Sequence, residues 1–336
     1  MAATALRRSD MYGSVSLRQL FPLLALLLGG FFIPMFANEY YLYLGNVLMM
    51  YAVLAIGLDI LMGWAGQFAF AHTAFFGLGC YTTALLNIKF GIPFIVGMPI
   101  AALLAGAVGV LVAIPATRMR DIYLALATFA FAEGMFWVFN TWEPVTGGST
   151  GLRIISSNVM GFKVSNDVTA FPVSMSLMCL MIAAAMYLSK SRLGREMSAI
   201  RDSEHVAMSC GIDVRRTKVI AFGISAIYAG VAGAMFTLAQ SFASPEQFGF
   251  NTAILVLTMI VVGGMGTLPG VMIGVLILSM LPEVLRTTMR SFQIWQELVY
   301  GLILILSIMF MPRGIWGSIS GHLKKRELPS KQAKSI

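Results

Sequence analysis

The stretch TAILVLTMIVVGGMGTLPGVMIGVLILSML, Thr252–Leu281, is thirty residues long and carries no charged side chain. As one straight helix it would measure about 45 Å at 1.5 Å per residue. A bilayer's hydrocarbon layer is only about 30 Å thick. The stretch is also interrupted at Gly263-Gly264-Met265-Gly266 and again at Pro269-Gly270, residue types that end or kink helices. Each half alone is short. The expectation is therefore a broken or re-entrant hairpin near Gly263–Gly270, buried in protein where its irregular backbone finds partners.

The rest of the chain has the same character. Of 336 residues, 58% are hydrophobic and 11% charged, and the mean hydropathy is +0.82. Soluble domains carry roughly 25% charged residues; with less than half of that, a water-soluble fold would expose large apolar patches and aggregate. Lipid is the fitting solvent, and in lipid only helical bundles or closed barrels satisfy every backbone group. The apolar runs lack the strict alternation of barrel strands. The fold class is all-α integral membrane.

Candidate spans are Leu20–Phe36, Leu42–Met62, Phe68–Leu86, Pro93–Ile114, Ile122–Asn140, Phe171–Ser189, Val219–Ala239, Thr252–Leu281 and Leu298–Met311. Met35-Phe36-Ala37 makes a poor cleavage site, so the first is read as a retained helix. Basic residues set the orientation. Lys190–Lys218 holds seven, and the tail holds six, Arg313, Lys324, Lys325, Arg326, Lys331 and Lys334. Both regions, the N-terminal segment 1–19 and the Arg118/Arg120 turn are expected to be cytoplasmic, and the loop 141–170 periplasmic. Nine single crossings would leave the tail outside; a double pass through Thr252–Leu281 restores parity. The polytopic bundle thus has about 9–10 passes over residues 20–317, with both ends inside and a basic cytoplasmic tail at 318–336.

The net charge of +8 sits between apolar runs, where topology needs it, and does not point to nucleic acid. Cys80, Cys179 and Cys210 show no paired or metal-ligand spacing. Three histidines in the whole chain argue against a metal site, and no cofactor is expected.

The loop 190–218 reads as a helix from Gly194 to Gly211, with Met197, Ile200, Ala207 and Met208 near one face. Gly211 stands where a helix-ending left-handed residue is wanted. Such a helix across the ends of a bundle offers a knob to a soluble partner; the other reading is a helix resting in the headgroups. Its apolar face lacks the Trp and Phe of an interfacial anchor, which favours a protein partner.

Ser191-Arg192-Leu193-Gly194-Arg195, Ala199-Ile200-Arg201-Asp202, Glu204-His205-Val206-Ala207 and Gly211-Ile212 resemble the coupling-loop signature of branched-chain amino acid ABC importer permeases of the M type. Gly63-Trp64-Ala65-Gly66-Gln67 through His72, Thr146-Gly147-Gly148, Ser244-Pro245-Glu246, the Gly263–Gly270 cluster and Pro312-Arg313-Gly314 agree, in order, over residues 40–317. Asp59 departs from the pattern, standing where an amide is more usual. His205, Val206 and Met208 replace small or acidic residues.

The resemblance implies a permease heterodimer in the bacterial inner membrane, with two cytoplasmic ATPase subunits and a periplasmic solute-binding protein. It assigns ATPase coupling to Ile200, Arg201, Asp202, Glu204, Ala207 and Gly211. Branched-chain or other amino acids are the expected cargo; urea, amides or aromatic acids are alternatives within the family. Independently of the resemblance, the chain has no Gly-Lys dipeptide, so it lacks the phosphate-cradling loop of an ATPase. An ion-coupled secondary transporter is a rival. Clustered catalytic groups are lacking, so no enzyme is expected.

Three polar residues are candidates for lining a path. Glu133 falls mid-span, where a carboxylate costs on the order of 3 kcal/mol and should face the bundle or a wet cavity. Gln67 and His72 flank a short run amid glycines and either line the path or join helices.

Overall fold

The computed structural model describes residues 38–318 except 120, 155–156, 160–161, 165–166, 241, 289–291 and 312–313. The expected first span Leu20–Phe36, the segment 1–19 and the tail beyond 318 lie outside the described residues.

Helix α1 (Glu39–Asp59) continues into a π-helical turn, Ile60–Trp64. There follow α2 (His72–Phe90), α3 (Phe94–Ala116), α4 (Asp121–Thr141) and α5 (Asp167–Lys190). Two short helices, α6 (Arg192–Asp202) and α7 (Glu204–Ser209), lead to α8 (Val214–Ala239). The chain then forms α9 (Phe250–Gly263), α10 (Leu268–Thr288) and α11 (Phe292–Phe310). Among the described residues, seven helices are long and apolar enough to cross a membrane, and Leu268–Pro282 adds a shorter apolar one. The molecule is an all-α, multi-pass membrane protein.

The Thr252–Leu281 stretch is two helices, as its glycines require. Gly263 ends α9, and the chain turns through Gly264–Thr267 into α10. The two helices then cross in backbone contact: a Cβ on Gly274 would lie 1.9 Å from the Met259 carbonyl, and one on Gly263 2.1 Å from that of Gly270. Only glycine permits that approach.

The centre is α1 and α8, most of whose residues are buried. In lipid the hydrophobic effect gives helices no reason to associate, so close van der Waals packing must hold them. Gly230 provides it on α8: a Cβ there would lie 2.8 Å from Ala105 Cβ on α3, and one on Gly79 of α2 would lie 2.3 Å from the Gly230 carbonyl. Leu103 and Leu111 of α3, Ile122 and Leu126 of α4, and Ile305 and Ile308 of α11 are exposed and form the apolar outer surface.

The two ends of the bundle differ. At one, residues 190–218 and the Gly264–Thr267 turn come together through Arg201. At the other, Leu152–Arg153 pairs antiparallel with Phe242–Ala243, tying the loop 141–170 to the segment before α9. Beneath that strand pair Phe248 is buried, its ring 5.1 Å from Phe76, 5.4 Å from Tyr81 and 5.6 Å from Phe236. These edge-on contacts pack the segment before α9 against α2 and α8.

The span expected at Phe68–Leu86 begins later, at His72. Gly66 turns the chain at φ 70°, so Gln67–Phe70 form an irregular link after the π-helical turn.

Candidate functional site

The segment between α5 and α8 is two helices rather than one. Ser203 takes extended backbone (φ −167°, ψ 117°), and its hydroxyl accepts the Val206 N–H, so it caps α7 while ending α6. The expected single helix from Gly194 to Gly211 is corrected accordingly. Ser191 and Asp213 cap α6 and α8 in the same manner. Gly211, at φ 79°, ends the segment as expected, with open space around its α-carbon.

The break at Ser203 changes which residues face out. Met197, Ile200 and Ala207 are buried within the chain, whereas Val206 is 62% and Met208 51% exposed. Met208 therefore leaves the buried stripe on which its spacing placed it. Ala207, expected to be a contact for an outside subunit, is packed inside this one.

The charged members of the signature divide similarly. Glu204 pairs with Lys218 at the start of α8, and the Gln67 amide donates to the Lys218 carbonyl at 3.4 Å. Glu196 takes hydrogen bonds from Arg192 at 2.8 Å and from Thr217 of α8 at 3.2 Å. Arg201 donates to the Gly63 carbonyl. Asp202 has its side chain about half exposed, 3.9 Å from Arg201 Nε. The signature thus attaches the segment to the bundle, and Val206 and Met208 are the large apolar side chains it presents.

Gly63 is free to accept because the π-helical turn displaces the usual ladder. Gln67, four residues on, gives its N–H to Leu61 at 3.0 Å instead. Beside it, Asp59 is fully buried and accepts the Gly266 N–H at 2.7 Å. From sequence, Asp59 is a departure from the pattern and a carboxylate near the end of its span, weighted towards a structural role and not named among the site residues. The signal was its separation of four from Gly63, one helical turn, but its partner lies about 200 residues away.

Gln67 and His72 are buried and bonded across helices. His72 Nε2 donates to the Leu54 carbonyl at 2.8 Å, and Ser225 donates to Nδ1 at 3.2 Å; since a carbonyl can only accept, the proton belongs on Nε2. This geometry joins α2 to α1 and α8. His72 also borders a narrow crevice with Leu58, Met62, Phe70, Ala253 and Val256.

Glu133 is half-buried on α4, one of the less buried helices. It borders a crevice lined by Phe70, Thr73, Phe129, Phe248 and Phe250. Among the described residues no cation neutralises it. No hydrogen bond joins Gln67, His72 and Glu133 among the described residues, while the crevices beside His72 and Glu133 share Phe70, Thr73 and Ala253.

The sequence model of the family described as branched-chain amino acid transport system / permease component matches residues 40–308. The chain belongs to that family. It is 31% identical to the high-affinity branched-chain amino acid transport system permease protein LivM of Escherichia coli strain K12, over 93% of this chain and 78% of the relative. The LivH permease protein of the same strain is 27% identical, over 80% of this chain and 91% of the relative. The ribose import permease protein RbsC of Haemophilus influenzae is 25% identical, over 77% of this chain and 80% of the relative. No solved structure matches. The protein is a transport permease component, and the α6–α7 segment is its best-defined candidate site.

Proposed function

We propose that this chain is one half of the transmembrane pathway of an ATP-driven importer in the bacterial inner membrane, carrying branched-chain or other amino acids. The observation that carries this reading is the α6–α7 segment: an apolar knob of Val206 and Met208, clamped to the bundle by Glu196, Arg201 and Glu204. Exposed apolar side chains on a rigid base, rimmed by charge, suit a protein groove. The chain has no phosphate-cradling loop of its own, so the groove belongs to a separate ATPase subunit on the cytoplasmic side. Similarity to both LivM and LivH supports pairing with a second permease. A solute-binding protein would then meet the opposite end, where the loop 141–170 is pinned by the strand pair.

The pathway would run beside Glu133 and its aromatic neighbours, against the second permease. A carboxylate is tolerated mid-span where it meets water or protein, not hydrocarbon. Gln67 and His72 then serve as ties that keep the wall in shape.

Reconstitution into proteoliposomes with the partner permease, ATPase subunits and binding protein tests the reading. Leucine uptake is expected to need ATP and the binding protein and to survive ionophores. Uptake that persists without ATP and collapses with an ionophore would replace this reading with an ion-coupled transporter. Competition by urea, aromatic acids and ribose then sets the substrate class.

A further inference from the structure

We propose that Arg201 is a positioning residue for transport: its guanidinium joins the α6–α7 segment to the Gly63 turn and the Gly264–Thr267 turn, so that the three move as one body. This deepens the reading above and rests on it, since it assumes that the segment is driven from outside.

Arg201 lies in the last turn of α6, immediately before the break at Ser203. The segment's ties through Glu196 and Glu204 both go to α8. Arg201 reaches elsewhere, to the Gly63 carbonyl in the π-helical turn that ends α1. Interruptions of this kind concentrate at functional positions in helices. This one exposes an acceptor that a regular helix would have used.

The surroundings of the guanidinium are built from glycine. A Cβ on Gly66 would stand 3.0 Å from Arg201 Cγ, and one on Gly266 2.6 Å from Nη1. Both glycines have positive φ, 70° and 80°, so their absent side chains serve both turn geometry and close approach. Asp59 binds the second turn, taking the Gly266 N–H on Oδ1. Its carboxyl is buried and also faces the Trp64 side chain. A buried carboxylate is costly without an opposite charge nearby. Arg201 is the nearby cation, standing on the other side of the Gly63 and Gly266 backbone without pairing directly with Asp59. Arg201 through Gly63, and Asp59 through Gly266, thus join the end of α6, the end of α1 and the α9–α10 turn.

The same residue borders open space. A cavity of about 340 Å³ lies against Arg201, lined also by Met62, Phe68, Val261, Met265, Ile308 and Met311. A rigid junction beside a void can shift as a unit without forcing backbone into packed side chains. Displacing the segment would therefore move the ends of α1, α9 and α10, three helices at one mouth of the bundle.

The test uses the reconstituted complex and compares Arg201→Met with Arg201→Lys. Methionine keeps the apolar stem against Gly66 but cannot donate; lysine can donate once to the Gly63 carbonyl and keeps the charge. Substrate transported per ATP hydrolysed is expected to fall roughly tenfold in the methionine variant, within the range for residues along a coupling network. Lysine should recover at least half of the wild-type ratio. Spin labels at Arg195→Cys on α6 and Met265→Cys in the turn, with Cys210→Ser, give an independent readout. Their separation should agree to within about 2 Å between nucleotide-free and ATP-bound wild type, and broaden in Arg201→Met.

An unchanged transport-to-hydrolysis ratio in Arg201→Met, loss of ATPase subunits from its complex, or a lysine variant no better than methionine would each overturn the proposal. So would labels that separate on ATP binding in the wild type. A wild-type complex that needs no ATP for uptake would instead remove the importer reading on which the proposal stands.

Discussion

At the scale of single residues, position in the sequence and role in the fold part company most clearly at His72 and Glu133. Both are polar groups in apolar runs. His72 has partners on α1 and α8, whereas Glu133 sits on a half-exposed face beside phenylalanines. The two should respond oppositely to substitution. His72→Ala removes the tie to the Leu54 carbonyl and leaves the buried Ser225 hydroxyl without its partner, at about 1–3 kcal/mol where it stays unsatisfied. The purified variant should melt at lower temperature, and uptake should fall in step with folded protein. Normal melting with abolished uptake would move His72 to the pathway. Glu133→Gln removes a charge from the membrane, so assembly with the partner permease should hold or improve while uptake falls several-fold, consistent with charged pathway residues. Undiminished uptake by Glu133→Gln would leave the carboxylate without a transport role. The sequence alone shows that these residues are costly; it does not show which has found partners, because those partners are 18 and 153 positions away from His72.

At the scale of elements, the α6–α7 segment was legible as an amphipathic piece ending at Gly211, but not as two helices. The information was present in Asp202-Ser203-Glu204, a capping serine followed by an acidic first-turn residue. Periodicity across the break masked it, since Met197, Ile200 and Ala207 continue one stripe and drew Met208 in with them. The consequence is a different choice of probe. Ala207→Arg would force a charge into this chain's own packing, at about 1–3 kcal/mol from overpacking alone, and would report on folding more than on docking. Val206→Asp with Met208→Asp leaves the buried stripe intact and places two carboxylates on the exposed knob. That double variant is expected to insert and pair normally yet lose ATPase subunits on co-purification by at least tenfold, as when apolar anchors of an interface are replaced. Full retention of the ATPase by the double variant would leave the segment as a headgroup-seated helix.

At the scale of the whole molecule, the break in Thr252–Leu281 fixes how the chain is threaded, and it was readable because membrane thickness limits what one helix can do. The aromatic packing at the other end was not readable, since Phe248 meets Phe76, Tyr81 and Phe236 only after distant segments have folded together. Threading makes a direct prediction. If α9 and α10 are two passes joined by Gly264–Thr267, that turn lies on the same side as the α6–α7 segment, because Arg201 reaches Gly63 while Asp59 beside it holds Gly266. The loop before Gly147 lies on the other side, since the neighbouring strand Leu152–Arg153 pairs ahead of α9. Single cysteines placed in a Cys210→Ser background test this with an impermeant maleimide, Cys80 and Cys179 being buried. Met265→Cys and Val206→Cys, both at exposed positions, should react only when the cytoplasmic face is open to reagent. Trp142→Cys, also exposed, should react in intact cells whose outer membrane has been made permeable. Labelling of Met265→Cys from the Trp142 side would mean that α9 does not carry the chain across, and the Arg201 junction could not then form.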